Sequence, residues 1–213
     1  MKLTVFGATG RIGKHAVTQA LAAGHHVTAV VRDPARLGIA AQPGLTIVTV
    51  DSLTDSAPLV AALEGRDAAI SGVGPRARKD VTVASTTTHA ILEAMAIAGV
   101  RRFVAVSAAP VGPVAADESW FSRRVALPLI RTLLGTIYAD LARMEQQIRQ
   151  SGLDWTIVRP PRLNDKPLTG SYLTRIGEGG GKLAPIGRAD VAHAMLAAIS
   201  NPETVRQPVG VSG

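Results

Sequence analysis

The sequence has no cysteine, which excludes disulfide bonds, thiolate metal sites and a cysteine nucleophile and fits a reducing compartment. It also has no uncharged apolar run that approaches the roughly 18 residues of a membrane span. The most apolar stretch, residues 125–137, is interrupted by Pro128, Arg131 and Gly135. The first residues run directly into an apolar segment and leave no room for a signal peptide. We therefore predict a cytoplasmic protein with no membrane partner.

The chain is basic, with a formal net charge of +7, but its positive charges form no tail or run. Arginines come in ones and twos, as at Arg101-Arg102 and Arg123-Arg124, and no recognisable nucleic-acid-binding motif accompanies them. The charge balance suits polyanionic small molecules, so no nucleic-acid partner is predicted. The five histidines lack metal-ligand spacing, and no metal site is predicted.

Short apolar, β-branched segments alternate with longer helical patterns, which is typical of βαβ units and a parallel sheet. Strands are predicted at 3–6, 26–31, 45–50, 67–72, 102–107 and 154–159, and helices at about 11–24, 54–64, 80–99, 122–151 and 188–200. Glycines at 24, 65, 99 and 152 follow four helices, where a left-handed cap is expected. Residues 160–187, rich in proline and glycine, are predicted to form an irregular, substrate-covering excursion over the carboxyl edge of the sheet. The expected fold is a single α/β domain over 1–213 with a doubly wound parallel sheet, the Rossmann fold.

A glycine-rich turn joins the first predicted strand to the first helix. Residues 7–13 read Gly-Ala-Thr-Gly-Arg-Ile-Gly, which spaces the glycines as G-x-x-G-x-x-G. One glycine turns tightly, one lets backbone N–H groups reach a diphosphate, and one seats the helix on the strand. The helix N-terminus adds unpaired donors and a partial positive charge. A dinucleotide site is predicted here, with contacts from Gly7, Thr9, Gly10, Arg11 and Ile12.

The end of the second predicted strand distinguishes between the two nicotinamide coenzymes. NAD sites usually carry an acidic residue there, about 20 positions after the glycines, to hold the ribose hydroxyls. This chain has Arg32, and Asp33 is predicted instead to cap the short segment 34–36. Guanidinium groups match the oxygens of a phosphomonoester, so Arg11, Arg32 and Arg36 predict NADP(H). The alternative is that Arg32 and Arg36 are ordinary surface charges.

Further coenzyme contacts are predicted at the carboxyl ends of other strands, where open α/β sheets bind ligands. Asp51, Ser52 and Leu53 follow the third strand, and Asp51 is predicted to reach the adenine. The fourth strand leads into Gly72, Val73 and Gly74, where the missing side chains let the backbone approach the dinucleotide. Ser107 ends the fifth strand. Turn capping is an alternative role for both Asp51 and Ser107.

Longer motifs resemble the atypical short-chain dehydrogenase/reductases with NAD(P)-binding domains. The resemblance covers nearly the whole chain and is closest to the flavin reductase/biliverdin reductase B group, with NmrA-like proteins more distant. It rests on the motifs GATG at 7–10, VRD at 31–33, GRDA at 65–68, SGLDWT at 151–156, PPRLND at 160–165 and PLTGSY at 167–172.

This resemblance implies NADPH bound across the switch point of the sheet and hydride transfer to flavins, quinones or related conjugated acceptors. The implied positions are Arg11, Arg32 and Arg36 at the adenosine 2′-phosphate, Gly74 and Arg76 at the central phosphates, and Ser107 and Pro160 at the nicotinamide. The chain departs from the pattern at Arg162, where flavin/biliverdin reductases carry a histidine after the paired prolines. That histidine's role does not transfer, although an arginine there can meet an anionic acceptor.

The proton-transfer pair of ordinary short-chain dehydrogenases is absent. Those enzymes use a tyrosine followed four residues later by a lysine, but Tyr138 is followed at that spacing by Ala142. No lysine occurs between Lys79 and Lys166. Reduction of a flavin or quinone needs mainly correct positioning by the protein, because the coenzyme carries the hydride and a delocalised acceptor absorbs the charge.

Ser107 and Tyr172 are the candidate catalytic residues, as contacts for the acceptor. Tyr172 lies on the excursion and is predicted to roof the pocket, with packing as the alternative. Trp120 and Phe121 are predicted to form an apolar wall, whereas Trp155 is assigned to the core.

These features predict an NADPH-dependent oxidoreductase that transfers hydride to a flavin-, quinone- or bilin-like acceptor. The alternative is a non-catalytic NADP(H)-binding sensor of the NmrA-like type; an epimerase or isomerase ranks last because its expected dyad is missing. The predicted partner is a small-molecule acceptor, and the predicted assembly is a monomer or small homo-oligomer.

Overall fold

The structure is a computed structural model that describes residues 1–75, 80–113, 124, 134–177 and 183–213. The strands in these ranges are β1 (Lys2–Phe6), β2 (His26–Val31), β3 (Leu45–Thr49), β4 (Ala68–Ser71), β5 (Arg102–Val106), β6 (Asp154–Arg159), β7 (Leu163–Asn164), β8 (Leu173–Ile176), β9 (Ile186–Gly187) and β10 (Gln207–Ser212). The helices are α1 (Arg11–Ala22), α2 (Ala57–Leu63), α3 (Val83–Ala98), α4 (Gly135–Gln150) and α5 (Arg188–Ser200). None of these described helices is long and apolar enough to cross a membrane.

Eight of the strands form one sheet in the order β3-β2-β1-β4-β5-β6-β10-β8. Neighbouring strands are parallel except at one edge, where β8 runs antiparallel to β10. The chain first builds outward from β1 to β3 and then returns to place β4 on the other side of β1. That reversal creates the switch point at which doubly wound sheets bind ligands. The predicted single-domain α/β fold is confirmed.

Alternating side chains of the central strands feed two apolar layers, one on each face of the sheet. Leu3 and Val5 of β1 join the layer that contains α1 and α5, while Phe6 joins the layer that contains α2, α3 and α4. Because successive strand side chains point to opposite faces, a sheet covered on both faces needs strands that are apolar throughout. Trp155 is buried in the second layer, which confirms its assignment to the core.

The predicted strands agree with the structure to within one residue, but two helices start later than predicted. Before α2, the carboxylate of Asp55 accepts a hydrogen bond from the Ala57 N–H at 3.1 Å, and this turn delays the helix. The left-handed caps predicted at glycines 24, 65, 99 and 152 are confirmed by φ values of +65° to +77°. The predicted helix 122–151 is seen as α4; residues 114–123 and 125–133, with Trp120 and Phe121, lie outside the described residues.

The structure departs in part from the irregular excursion predicted at 160–187, because the described residues of this segment include three short strands. β8 adds to the edge of the main sheet, and β7 pairs in parallel with β9. β7 and β9 have two residues each and are too short to show a hydrophobic period. β8 is exposed along its whole length, so it lacks the alternation of buried and exposed residues that marks a strand. The segment after α5 is also a full strand, β10, which lies between β6 and β8.

Candidate functional site

The glycine turn is packed so closely that no side chain fits at its key positions. Gly7 has a φ of +70°, and a Cβ there would lie 2.9 Å from the carbonyl carbon of Gly72 and from the backbone nitrogen of Val73. A Cβ on Gly13 would lie 2.1 Å from the Gly7 carbonyl oxygen. The turn itself is closed by a 2.8 Å hydrogen bond from the Gly10 N–H to that oxygen. The first turn of α1 therefore sits directly on the end of β1.

The start of α1 fits an anionic ligand. Gly10 is its N-cap residue, no side chain caps the helix, and its first turn holds no acidic residue. A helix start of this kind leaves backbone N–H donors and a partial positive charge facing the cleft. Together with the glycines, which keep side chains out of the way, this end of the helix is suited to hold a diphosphate.

A cleft of about 950 Å³ opens along the carboxyl ends of the strands at the switch point. Most of the predicted coenzyme residues line it, namely Gly7, Thr9, Gly10, Arg11, Ile12, Arg32, Arg36, Ser52, Leu53, Gly72, Val73, Gly74 and Ser107. The structure thus brings residues from the ends of five strands, β1 to β5, into one site. Their individual contacts with a coenzyme remain predictions.

The other predicted coenzyme residues are placed differently. Asp51 is exposed and does not line the cleft, although Ser52 and Leu53 next to it do. Pro160 is buried, and its carbonyl accepts a 2.8 Å hydrogen bond from the Ala109 N–H. Arg162 is exposed, and its carbonyl accepts a hydrogen bond from Ile186 at 3.0 Å. Neither Pro160 nor Arg162 lines the cleft.

Arg76 lies outside the described residues, so the structure places no side chain for the contact implied at the central phosphates. Across the described ranges, no group of three or more histidine, aspartate or glutamate side chains gathers as it would around a metal ion.

Arg32 and Arg36 lie at the β2 end of the cleft and are both exposed. Asp33, between them in sequence, accepts a hydrogen bond from the Ala35 N–H at 3.1 Å and caps the short 3₁₀ turn Pro34–Arg36, as predicted. Within the described ranges, neither arginine forms an ion pair. The site therefore presents two guanidinium groups at the place where a ribose-binding carboxylate would stand in an NAD site.

Ser107 carries a buried hydroxyl that lines the cleft and finds no partner among the described residues. The residue is 8% exposed, and its N–H donates to the Val158 carbonyl at 2.8 Å, which fixes it between β5 and β6. A buried hydroxyl without a partner costs about 1–3 kcal/mol. A bound ligand that supplies the missing hydrogen bond removes this cost. The placement favours ligand contact over the alternative of turn capping.

Tyr172 does not line the cleft, so its prediction as a roof over the pocket is not supported. Its hydroxyl lies 2.7 Å from Nδ1 of His193 on α5, and the two rings meet edge to face with centroids 5.7 Å apart. Burial, and to a lesser extent the nearby Asp190, raise the pKa of Tyr172. The placement favours the alternative role in packing, because the ring joins the apolar layer of α1 and α5.

Sequence patterns did not point to Asp140, a buried carboxylate on α4 that caps the N-terminus of α3. It accepts hydrogen bonds from the Ala84 N–H at 2.9 Å, from the Ser85 N–H at 3.4 Å and from the Ser85 hydroxyl. A carboxylate at a helix N-terminus is favoured by the partial charge there. Thr86 and Thr87 in the next turn of α3 line the cleft, so Asp140 holds one of its walls.

Arg188, the first residue of α5, also lines the cleft and was not predicted. Its side chain is only 11% exposed. The available signal was an arginine at the start of a correctly predicted helix, which by itself does not indicate a ligand.

The sequence matches the model of one protein family, described as NAD(P)H-binding, over residues 7–202. This span begins at the glycine turn and extends beyond α5, so it includes the elements that line the cleft. The chain belongs to this NAD(P)H-binding family. The NAD(P)-binding domain predicted from the sequence is thereby confirmed.

Two relatives share much of the chain. An uncharacterized chloroplastic protein of Arabidopsis thaliana is 33% identical over 182 residues, which are 81% of this chain and 62% of the relative. The chain thus spans less than two thirds of that protein. An uncharacterized sugar epimerase of Bacillus subtilis, YhfK, is 28% identical over 209 residues, or 96% of this chain and 90% of the relative.

Solved structures share the architecture. A candidate NADH-flavin reductase of Streptococcus pneumoniae superposes with a TM-score of 0.79 at 23% identity and covers 100% of this chain and 99% of its own. A wide-type short-chain dehydrogenase/reductase of Veillonella parvula, solved in complex with NADP, gives a TM-score of 0.78 at 19% identity, with coverage of 100% and 94%. At these identities the likeness shows the fold alone.

Proposed function

We propose that the protein is an NADPH-dependent reductase that passes hydride to a conjugated acceptor of the flavin, quinone or bilin type. The observation that carries the proposal is the chemistry of the cleft lining. Within the described ranges, Asp80 is its single carboxylic acid, and no histidine, lysine or tyrosine lines it. A cleft so poor in proton-transfer groups suits an acceptor that takes up hydride without prior protonation by the protein.

The choice of NADPH is supported by the arginines at the adenosine end. A charge-assisted hydrogen bond contributes about 1.5–3 kcal/mol. Contacts from Arg32 and Arg36 to a 2′-phosphate would therefore favour NADPH over NADH by on the order of 10² to 10⁴. The NADP held by the Veillonella structure is consistent with this preference.

The residues of the chain have separable tasks in this reaction. The turn at 7–13 and the start of α1 hold the diphosphate, and Arg32 and Arg36 hold the 2′-phosphate. When bound, the coenzyme supplies the hydride. Ser107 positions the nicotinamide or the acceptor by a hydrogen bond from its buried hydroxyl. Leu141 and Leu163 line the same cleft with apolar surface and exclude water from it.

Tyr138 on α4 does not supply the missing acid–base pair. Burial raises the pKa of Tyr138, and the chain offers no lysine four residues later to lower it. A tyrosine in that state is a weak proton donor near neutral pH. This argues against simple ketone reduction and supports the conjugated acceptor.

The test is the loss of NADPH absorbance with FMN, riboflavin and quinones offered in turn to the purified protein. Turnover with at least one of them is expected. Tight NADPH binding with no turnover on any acceptor would instead identify an NADP(H)-binding sensor. Conversion of a sugar substrate without net NADPH loss would identify an epimerase. The cytoplasmic location, the acceptor and the monomeric or small homo-oligomeric state remain predictions.

A further inference from the structure

Arg188 is a nearly buried cation balanced by an exposed carboxylate. Its NH1 lies 2.6 Å from Oδ1 of Asp165, and the two side chains are 11% and 68% exposed respectively. A buried charge needs a partner, because its desolvation is otherwise uncompensated. An exposed carboxylate has no such need, since water replaces the arginine at little cost. The two members of the pair therefore depend on it to very different degrees.

The pair is set by backbone register. β7 and β9 are parallel, with Leu163 opposite Ile186 and Asn164 opposite Gly187. Asp165 and Arg188 are the next residues on each side, so the strand pairing itself brings them together. The pairing thus holds the guanidinium at the cleft wall and the carboxylate just outside the cleft.

The same carboxylate also serves a second cation of the cleft. Oδ2 of Asp165 lies 3.5 Å from NH1 of Arg11, whose side chain is 70% exposed. Arg11 and Arg188 both line the cleft, whereas Asp165 does not. One carboxylate outside the cleft therefore forms ion pairs with two guanidinium groups that line it. These three side chains together carry a net charge of one positive unit on the side that receives a ligand.

We propose that Arg188 recognises an anionic group of a ligand bound in the cleft and that Asp165 is the counter-ion which it exchanges for that group. This inference rests on the proposed function, because it assumes that a coenzyme or acceptor occupies the cleft. The planar fork of an arginine suits a phosphate or carboxylate. The anion belongs either to the coenzyme diphosphate or to an acidic acceptor, and the experiment separates these sources.

The variants Arg188→Gln and Asp165→Asn are expected to act in opposite directions. Arg188→Gln removes the positive charge that recognises the anion and should raise the Kd of the ligand that carries this anion about 10- to 100-fold. Asp165→Asn removes a competing anion and should tighten the same ligand about 3- to 10-fold. A pair that merely fastens β7 to α5 would respond differently, since loss of either partner would lower stability and neither would tighten binding.

The matched control is the pair formed by Arg101 and Asp154. It lies at the amino ends of β5 and β6, at the opposite end of these strands from the cleft. Arg101 Nε is 3.2 Å from Asp154 Oδ2, outside the cleft. Arg101→Gln changes the net charge as Arg188→Gln does and should leave ligand affinities at the wild-type values. It therefore reports any general effect of lost positive charge.

Binding of NADPH is measured by calorimetry, and binding of FMN and riboflavin by flavin fluorescence. Weaker NADPH binding by Arg188→Gln assigns the anion to the coenzyme. Unchanged NADPH binding with a loss for FMN but not riboflavin assigns it to the acceptor, because these flavins differ by one phosphate. If Arg188→Gln fails to fold, the same binding titrations are made with Arg188→Lys and with Asp165→Asn, whose substituted side chain is exposed.

The inference is overturned, with the proposed function intact, if wild type binds NADPH and reduces an acceptor while Arg188→Gln matches Arg101→Gln for all three ligands. It is also overturned if Asp165→Asn weakens binding. Wild-type protein that binds neither NADPH nor a flavin removes the proposed function and this inference together.

Discussion

The substitution Gly13→Ala tests whether the glycine turn and α1 form one rigid cradle. A Cβ at residue 13 would lie 2.1 Å from the carbonyl oxygen of Gly7 and 2.8 Å from its carbonyl carbon. Ordinary contact begins near 3.4 Å, so the helix and the turn must separate by more than an ångström. Both atoms are backbone, and Gly7 is itself confined by the backbone of Gly72 on its other side. No side chain is available to rotate away.

Excess volume in a packed interior usually destabilises a protein by about 1–3 kcal/mol, and we expect about 3 kcal/mol here because only backbone can move. The N–H donors of the turn move with it, so the Kd for NADPH should rise about 100-fold. Urea unfolding and NADPH calorimetry measure the two effects. Gly135→Ala on α4 is the control, since its Cβ would meet nothing within 4 Å. Equal stability and equal NADPH affinity of the two variants would refute the rigid cradle.

Three further results are expected. Arg32→Ala and Arg36→Ala should each weaken NADPH about 10- to 100-fold and leave NADH unchanged in fluorescence titrations; equal losses for both coenzymes would count against a 2′-phosphate site. Ser107→Ala should lower kcat/KM for the acceptor about 10-fold while raising the free energy of unfolding by about 1 kcal/mol, because it removes an unpaired buried hydroxyl; unchanged kinetics would contradict the ligand contact. Burial and Asp190 raise the pKa of Tyr172, so the folded state holds the phenolic proton more tightly than the unfolded chain. The free energy of unfolding should therefore fall as pH rises above about 10, and Tyr172→Phe should flatten that fall in urea titrations.

The parts of the site that depend on local backbone geometry could be predicted from the sequence. Three spaced glycines between a strand and a helix leave few conformations, and the side chain of Asp33 has a nearby N–H to cap. Arg32 could be placed because its position follows from the length of β2. In each case the interacting groups are close in sequence or are linked by a regular element.

The parts that depend on long-range packing could not be predicted. Asp140 and the N-terminus of α3 are 55 to 56 residues apart, and no local pattern in either segment indicates that they contact each other. The pairing of Asp165 with Arg188 follows from two strands of two residues each, below the length at which a period is visible. Tyr172 was ambiguous because an aromatic ring with a polar tip suits a ligand pocket and a core edge equally.

The position of β10 within the sheet bears on how the protein acquires its structure. On the ribosome, β8 is made before β10, yet β8 has no place in the sheet until β10 has paired with β6. Assembly of this edge thus runs against the order of synthesis, and the unpaired rim of β6 stays open to intermolecular association during that interval. Until then, residues 173–176 lack the strand with which they pair in the folded protein. We therefore expect newly made chains to be most exposed to aggregation while β10 has not yet paired with β6.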